Sequence, residues 1–179
     1  RLASSRRVGI MGMGRIGGLV ATSLSALGFE VAGLSRSGRD GAVPVYPTAR
    51  LDDFLARTDL LVCLLPLTAE TRGILGRQAF AALPRGAGLV HAGRGAHLDP
   101  AALRDALDEG QLSGAMLDVT DPEPLPPDHW MWRHPRLVIT PHVAAQTDAA
   151  EGAQHAIAVM RALQSGAALP GRVDVALGY

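Results

Sequence analysis

Short apolar runs alternate with helical segments along this sequence, and that alternation limits the possible folds more than any other feature. The segment DLLVCLLP at 59–66 is apolar at successive positions rather than at every second one. Such runs are typical of parallel strands that are buried on both faces. Further strands are predicted at 7–11, 30–35, 88–92, 114–119 and 136–140. Six strands with helices between them predict a doubly wound parallel α/β sheet.

Helices are predicted between these strands, at 15–27, 51–57, 77–83, 100–109 and 147–164. Asp99 and Pro100 suit the N-cap and the first position of one helix. Gly28 suits the end of the first helix. The apolar face of that helix is expected from Ile16, Leu19, Val20, Leu24 and Leu27. The stretch between the second strand and the second helix is expected to be a loop, because it contains Pro44 and Pro47.

Composition narrows the class of function. The chain has 179 residues, 47% of them hydrophobic, and no net charge, which favours one globular domain in the cytoplasm over a nucleic-acid or membrane surface. All 17 basic residues are arginine, so a lysine Schiff base and a Walker A loop are excluded. Cys63 is the single cysteine and is expected to be a small buried apolar residue.

The segment GIMGMGRIGG at 9–18 contains the spacing G-x-G-x-x-G between a predicted strand and a predicted helix. Gly12 would make the tight turn, Gly14 would let the backbone approach a pyrophosphate, and Gly17 would let helix and strand pack closely. The N–H groups at the start of the helix, around Arg15 and Ile16, would bind the phosphates. The alternative is a glycine-rich turn without a ligand.

The end of the second strand bears on which dinucleotide binds. NAD-binding domains usually carry Asp or Glu there, about 20 residues after the glycines. This chain has no acid at that strand end, since Asp40 lies further into the loop and Glu30 at the opposite end of the strand. The residues present are Ser35, Arg36 and Ser37. Arg36 could pair with a 2′-phosphate, so NADP is predicted, with NAD possible; a solvated loop arginine is the alternative.

Three polar residues follow predicted strand ends: Arg94, Glu123 and His142. Together they could reduce a 2-oxo acid. Arg94 would bind the substrate carboxylate, and His142 would deliver a proton while a nicotinamide supplies hydride. Glu123 would orient the His142 ring and favour its protonated form. Each of the three could instead be an ordinary surface or capping residue. No histidine pair has a zinc-ligand spacing, so no metal is predicted.

Five segments, in this order, resemble the D-isomer-specific 2-hydroxyacid dehydrogenase family: GIMGMGRIGG, LLPLTAETRGILG, HAGRGAHLDPAAL, GAMLDVTDPEPLP and HPRLVITPHVAAQT. The resemblance is closest to the glyoxylate/hydroxypyruvate reductase branch. It implies an NAD(P)-binding Rossmann domain in which Arg94, Glu123 and His142 are the catalytic set. That branch commonly prefers NADPH, in agreement with the strand end described above.

The resemblance also implies further cofactor contacts. Asp118 would contact the nicotinamide carboxamide, and the backbone at Leu65, Pro66 and Leu67 would line the cofactor. Additional pocket neighbours would be Thr71, Gly93 and Ala144. The chain departs from the family at Gly93, where alanine or serine is common, and the glycine is expected to loosen or widen the site.

A second departure is that the sequence begins almost at the first predicted strand, so the family's substrate domain is not expected within these 179 residues. The expected organisation is a Rossmann domain at 1–165 and a tail at 166–179. A long last helix without its usual packing partner would favour a homodimer, and Trp130 and Trp132 are expected to be core or interface residues. A non-catalytic dinucleotide-sensing interaction domain stays open as an alternative. A β-hydroxyacid dehydrogenase is disfavoured, since it needs a catalytic lysine.

Overall fold

A computed structural model of the chain describes residues 2–38, 41–145 and 148–173. The described residues form seven strands: β1 Arg7–Met11, β2 Glu30–Ser35, β3 Val45–Pro47, β4 Leu60–Cys63, β5 Ala87–His91, β6 Leu112–Leu117 and β7 Leu137–Ile139. They also form five α-helices: α1 Arg15–Ala26, α2 Leu51–Ala56, α3 Arg77–Ala82, α4 Pro100–Asp108 and α5 Ala149–Ser165. Most bounds agree with the sequence prediction to within one or two residues.

The strands make one parallel sheet in the order β3-β2-β1-β4-β5-β6-β7. The predicted doubly wound α/β fold is therefore confirmed. The chain runs outward in one direction from β1 and then returns to start the other direction at β4. In such sheets a crevice opens between these two strands at their carboxyl ends, and ligands bind there.

The prediction of a plain loop at 36–49 is wrong, because β3 lies within it. This strand is only three residues long and pairs with β2 at the edge of the sheet, where Pro47 faces Ser35. A proline is tolerated at an edge because its missing N–H removes no bond from a further neighbour. The buried residues Val43 and Val45 anchor the segment in the core.

The predicted apolar face of α1 is also wrong in part. Gly17 and Ala21 are the buried residues of the helix, whereas its larger apolar residues Ile16 and Leu19 are exposed. A Cβ on Gly17 would stand 1.9 Å from the Gly12 carbonyl oxygen, so the helix lies against the end of β1 on its small residues. Leu27, which follows the helix, is exposed too, and Gly28 ends the helix with a positive φ, as predicted.

The core lies on both faces of the sheet. On one face Phe54, Phe80 and Leu103 from α2, α3 and α4 pack against alternate strand residues, and on the other Ala21 packs with Ile10. The predicted cap of α4 is confirmed, since an Asp99 carboxylate oxygen accepts hydrogen bonds from the first-turn N–H groups.

Cys63 and the two tryptophans can be placed in or near this core. Cys63 is buried, and desolvation raises the pKa of its thiol to about 11, as expected for an inert core residue. Trp130 packs against the larger core, which is the cluster that contains Phe54 and Phe80, as expected. Trp132 is half-exposed, and its indole N–H donates to the Pro126 carbonyl.

The chain divides into two compact units, Arg1–His142 and Val143–Tyr179. In the second unit α5 begins after Asp148, which caps it, and the predicted start at Thr147 lies outside the described residues. Helix α5 exposes Ile157, Met160 and Leu163. The bounds 1–165 and 166–179 stay a prediction. Among the described helices, none is both long enough and apolar enough to cross a membrane.

Candidate active site

The glycine loop lies at the carboxyl end of β1, against β4. Gly12 has φ +99°, and a Cβ there would stand 2.7 Å from the Leu64 carbonyl oxygen. Only glycine combines that φ with so close an approach. Gly17, as described, closes the other side of the turn. The two glycines therefore have the turn and packing functions predicted for them.

Gly14 stands at the N-cap of α1 and differs from both neighbours. Among the described residues, none beyond its two chain neighbours places an atom within 4 Å of where its Cβ would be, and it supplies no side chain to cap the helix. The first N–H groups of a helix have no partner within it. Arg15 and Ile16, which open the helix, are exposed. The loop therefore presents uncapped N–H groups and an open approach, which suits a dinucleotide phosphate.

The end of β2 is polar and accessible, but its two serines differ. The Ser35 hydroxyl accepts a hydrogen bond from Gly38 N–H at 3.1 Å and so shapes the turn. Arg36 and Ser37 are exposed. Asp40, discussed as a remote acid, lies outside the described residues. In the loop after β4, hydrogen bonding to Thr68 lowers the pKa of the exposed Glu70, and the Arg36 charge acts in the same direction.

The loop after β4 holds its own shape through Thr71. The Thr71 hydroxyl donates to the Pro66 carbonyl at 2.8 Å and accepts from Thr68 N–H at 2.8 Å. Leu65 packs against the larger core. The Thr71 side chain therefore fixes the shape of this loop. Its place as a neighbour of the cofactor pocket stays a prediction.

Asp118 follows β6 and is buried. Its carboxylate accepts a hydrogen bond from the Thr140 hydroxyl at 2.6 Å, and its backbone carbonyl accepts one from His142 N–H at 2.9 Å. The residue therefore joins the ends of β6 and β7. It also fixes the backbone of the histidine that the sequence singles out.

His142 and Glu123 are brought together as predicted. His142 Nδ1 lies 2.8 Å from a Glu123 carboxylate oxygen, and both side chains are about half-exposed. His142 has φ +55°, which is uncommon for a residue other than glycine. Such a backbone persists only where its surroundings hold it, here through the bond to Asp118. The Nδ1 contact leaves Nε2 as the ring atom that can exchange a proton with a ligand.

Arg94 lies on the loop between β5 and α4 and is exposed. One guanidinium nitrogen donates to the Gly93 carbonyl at 2.7 Å. Gly95 lies so close to the next loop that a Cβ would stand 2.0 Å from the Thr120 carbonyl oxygen. The loop that carries Arg94 is thus packed against the loop that carries Glu123, although the three predicted side chains do not form one hydrogen-bonded group.

The space beside Gly93 is filled rather than open. A Cβ there would stand 2.9 Å from His97 Nδ1 and 3.2 Å from the Leu65 carbonyl oxygen. The expectation that this glycine widens the site is therefore wrong: it makes room for a buried ring. Ala144, the last predicted pocket neighbour, belongs to the second unit and is exposed.

Sequence reasoning missed two histidines, His91 and His97, which are buried on either side of the Arg94 backbone. Arg94 N–H donates to His97 Nδ1 at 3.0 Å, and His91 Nε2 lies 2.9 Å from the Arg94 carbonyl oxygen. One signal was present, since the spacing Arg94-x-x-His97 is that of an N-cap and its N3 residue. His97 accepts from the N-cap backbone where Glu or Gln commonly does so.

The chain resembles known proteins along most of its length. Residues 1–144 match the family described as "D-isomer specific 2-hydroxyacid dehydrogenase, NAD binding domain". The chain is 44% identical over 174 residues to a glyoxylate/hydroxypyruvate reductase A from Salmonella paratyphi B. The match covers 96% of this chain and 56% of that relative. The chain therefore spans about half the length of this curated relative.

Solved structures give the same picture. An NADPH-dependent glyoxylate/hydroxypyruvate reductase from Sinorhizobium meliloti, in complex with NADP and sulfate, is 43% identical with a TM-score of 0.96. The match covers 100% of this chain and 58% of that one. A D-isomer specific 2-hydroxyacid dehydrogenase from Xanthobacter autotrophicus Py2, in complex with NADPH and MES, is 36% identical, also with a TM-score of 0.96. Here the coverage is 100% and 75%.

Proposed function

Because the chain belongs to the D-isomer specific 2-hydroxyacid dehydrogenase family, we propose that it is the cofactor-binding part of an NADPH-dependent reductase of small 2-oxo acids. The substrates would be of the glyoxylate and hydroxypyruvate class and the products D-2-hydroxy acids. The observation that carries the proposal is the Glu123–His142 contact of 2.8 Å at the carboxyl ends of the strands. The loop that carries Glu123 packs against the loop that carries Arg94.

The residues present fit a nicotinamide dinucleotide. The α1 N-terminus, with the open Gly14, would hold the pyrophosphate. The loop that follows β4 contains Pro66 and is named the Pro66 loop. This loop and Asp118 would flank the nicotinamide. When bound, the cofactor supplies the hydride, and residues of this chain bind the substrate and supply the proton.

NADP is favoured over NAD by the residues at the end of β2. Arg36 and Ser37 are exposed there and can bind a 2′-phosphate, whereas a strand-end carboxylate would repel it. Two relatives of solved structure carry NADP or NADPH. Ser35 contributes chiefly by shaping the turn. NAD use stays possible at lower affinity.

Arg94 would bind the substrate carboxylate. Its guanidinium is exposed and fixed on one side by the Gly93 carbonyl, which leaves its other N–H groups for a planar anion. The positive charge would also help to polarise the adjacent ketone oxygen. This residue therefore supplies substrate affinity and orientation.

His142 would deliver the proton to the developing alkoxide. With Nδ1–H donating to the Glu123 carboxylate, the ring is oriented so that Nε2 can carry the transferred proton. After reduction the ring is neutral and keeps its Nδ1 contact. Glu123 holds the same position throughout and acts through His142.

The direct test uses the full-length gene product, NADPH, and a panel of glyoxylate, hydroxypyruvate and glycolaldehyde. We expect loss of NADPH absorbance with the two acids, D-glycerate from hydroxypyruvate, and little turnover of the aldehyde, which lacks the carboxylate for Arg94. NADPH binding with no reduction of either acid would contradict the enzyme and favour the dinucleotide-sensing domain.

The homodimer and the cytoplasmic location stay predictions that light scattering and fractionation can test.

A further inference from the structure

Two buried histidines beside Arg94 take no part in the proposed chemistry. His91 ends β5, and His97 ends the short 3-10 turn Gly95–His97. Both side chains are fully buried, and their ring centroids lie 5.6 Å apart at a steep angle. Desolvation lowers the pKa of both rings, that of His91 to about 4. Both rings are therefore neutral at physiological pH.

The hydrogen bonds of His97 fix its tautomer. Nδ1 accepts the Arg94 N–H, so the ring proton is on Nε2, which donates to the Pro66 carbonyl oxygen at 3.2 Å. His97 thus bridges the backbone of Arg94 and the loop after β4. His91 completes the support, since its Nε2–H donates to the Arg94 carbonyl oxygen. Both polar groups of the Arg94 backbone are bonded to imidazoles.

The turn that carries Arg94 is tightly packed on both sides. Gly93 has its Cα against the His97 ring, and Gly95 has its Cα against the Thr120 carbonyl. The turn is therefore confined on one side by His97 and on the other by the loop that leads to Glu123. Loss of a hydrogen bond here displaces Arg94 or leaves a backbone N–H buried without a partner.

Metal binding is a competing interpretation of the same residues. Cys63, His91 and His97 offer ligand atoms that all lie within 4.8 Å of one another. However, both ring nitrogens of His97 are already bonded to backbone groups, so a metal would have to break the bond to Arg94 or to Pro66. The geometry is that of a support for the backbone.

We propose that His97 is a positioning residue whose bond to the Arg94 N–H sets the Arg94 side chain against the substrate carboxylate. This inference rests on the proposed function, because it assigns a consequence to the position of Arg94. The bond from Nε2 to the Pro66 carbonyl oxygen holds the other side of the same ring.

Two conservative variants of the full-length protein separate the two bonds. In His97→Asn the amide oxygen takes the place of Nδ1 and can still accept from Arg94. In His97→Gln the amide nitrogen takes the place of Nε2 and can still donate to Pro66. We expect His97→Asn to keep a near-normal KM for the 2-oxo acid and His97→Gln to raise it about tenfold. The Kd for NADPH should stay within about twofold in both.

His134→Gln is the matched control, because this mostly buried histidine bonds to Asp108, away from Arg94, and should leave KM unchanged. Equal KM values for the Asn and Gln variants, or a larger rise in His97→Asn, would overturn the proposal. A purely structural histidine would instead lower the melting temperature of both variants without separating their KM values.

Amide hydrogen exchange tests the bond between Arg94 and His97 without measuring turnover. Arg94 N–H should be protected in the wild type and in His97→Asn and should exchange at least about tenfold faster in His97→Gln. If the wild type reduces no 2-oxo acid but shows this pattern, the proposed function fails and the bond to Arg94 stands. If Arg94 N–H exchanges as fast in the wild type as in His97→Gln, the positioning proposal is overturned whatever the activity.

Discussion

Two acid–base pairs lie at opposite ends of the parallel strands, and the protein holds them very differently. We call the end where the strands begin the amino edge of the sheet and the end where they finish the carboxyl edge. At the amino edge, the Asp59 carboxylate accepts three hydrogen bonds from Arg7, one from its backbone N–H and two from its guanidinium. The Asp59 side chain is only 18% exposed. These bonds lower the pKa of Asp59 to about 2.

At the carboxyl edge, the Glu123 carboxylate and the His142 ring share one contact of 2.8 Å and are 43% and 46% exposed. A pair joined by three hydrogen bonds, with its carboxylate mostly buried, stabilises the fold and leaves that carboxylate little room for a ligand. A pair with a single contact gives up stability and keeps a ring nitrogen for chemistry. We infer that the amino edge is structural and the carboxyl edge catalytic.

His142→Ala should show the largest effect, because it removes the proton donor from the carboxyl edge. We expect kcat of the full-length protein to fall by about 10²- to 10⁴-fold while the Kd for NADPH is unchanged. Steady-state NADPH oxidation and fluorescence titration measure the two quantities. His155→Ala, an exposed histidine of the second unit, is the control. Unchanged turnover in His142→Ala would assign the proton to another group.

Arg94→Lys tests whether the carboxyl edge recognises a planar carboxylate. Lysine keeps the charge but loses the two-pronged donor, so KM for glyoxylate should rise about 10- to 100-fold. Arg77→Lys, which changes an exposed ion pair with Asp105, should leave KM unaltered. Equal KM values in the two variants would mean that Arg94 does not bind the carboxylate.

Arg36→Ala tests the cofactor end of the same edge. Loss of a charge-assisted contact to the 2′-phosphate should raise the Kd for NADPH about tenfold and leave the Kd for NADH unchanged. Fluorescence titration with both cofactors gives the answer in one experiment. An equal loss of affinity for both would show that Arg36 contributes only to the general electrostatic attraction of the site.

Asp59→Asn should have the smallest effect on the reaction and a modest one on stability. Because the folded state lowers the pKa of Asp59 from 3.8 to about 2, its charge stabilises the fold above that range, and this stabilisation is lost as pH falls through it. We expect the variant to lose about 1–2 kcal/mol of unfolding free energy at pH 7, allowing for solvent screening, and little below pH 2.

Denaturant unfolding at several pH values measures this difference. Asp53→Asn, at an exposed pair with Arg50, is the control and should show no measurable loss. A fall in kcat of Asp59→Asn under conditions where it is folded would break the separation between the two edges.

Local signals made much of the fold predictable from the sequence. Short apolar runs between helical segments predicted six strands, and Asp99 with Pro100 predicted the start of α4. The missed strand β3 is short and ends in a proline, so its strand character comes from pairing with β2 rather than from its own residues. The large apolar residues of α1 suggested its buried face, but the close approach of Gly17 to Gly12 decides it, and a hydrophobic pattern does not weigh glycine.

The site was predictable where chemistry depends on side-chain type at a strand end. His142 and Glu123 stand at such positions and do meet. His91 and His97 were missed because they bond to backbone groups, which every residue carries, so no partner is visible in the sequence. The filled space at Gly93 has the same origin, since it depends on where the His97 ring lies.

A double-variant cycle on kcat tests most directly whether Glu123 and His142 act as one unit. The cycle compares the wild type, Glu123→Gln, His142→Ala and the double variant in the full-length protein with NADPH and glyoxylate. Glu123→Gln alone should lower kcat about 10- to 100-fold. Because Glu123 acts only through the His142 ring, the double variant should be no slower than His142→Ala alone. Losses that multiply in the double variant would contradict this account.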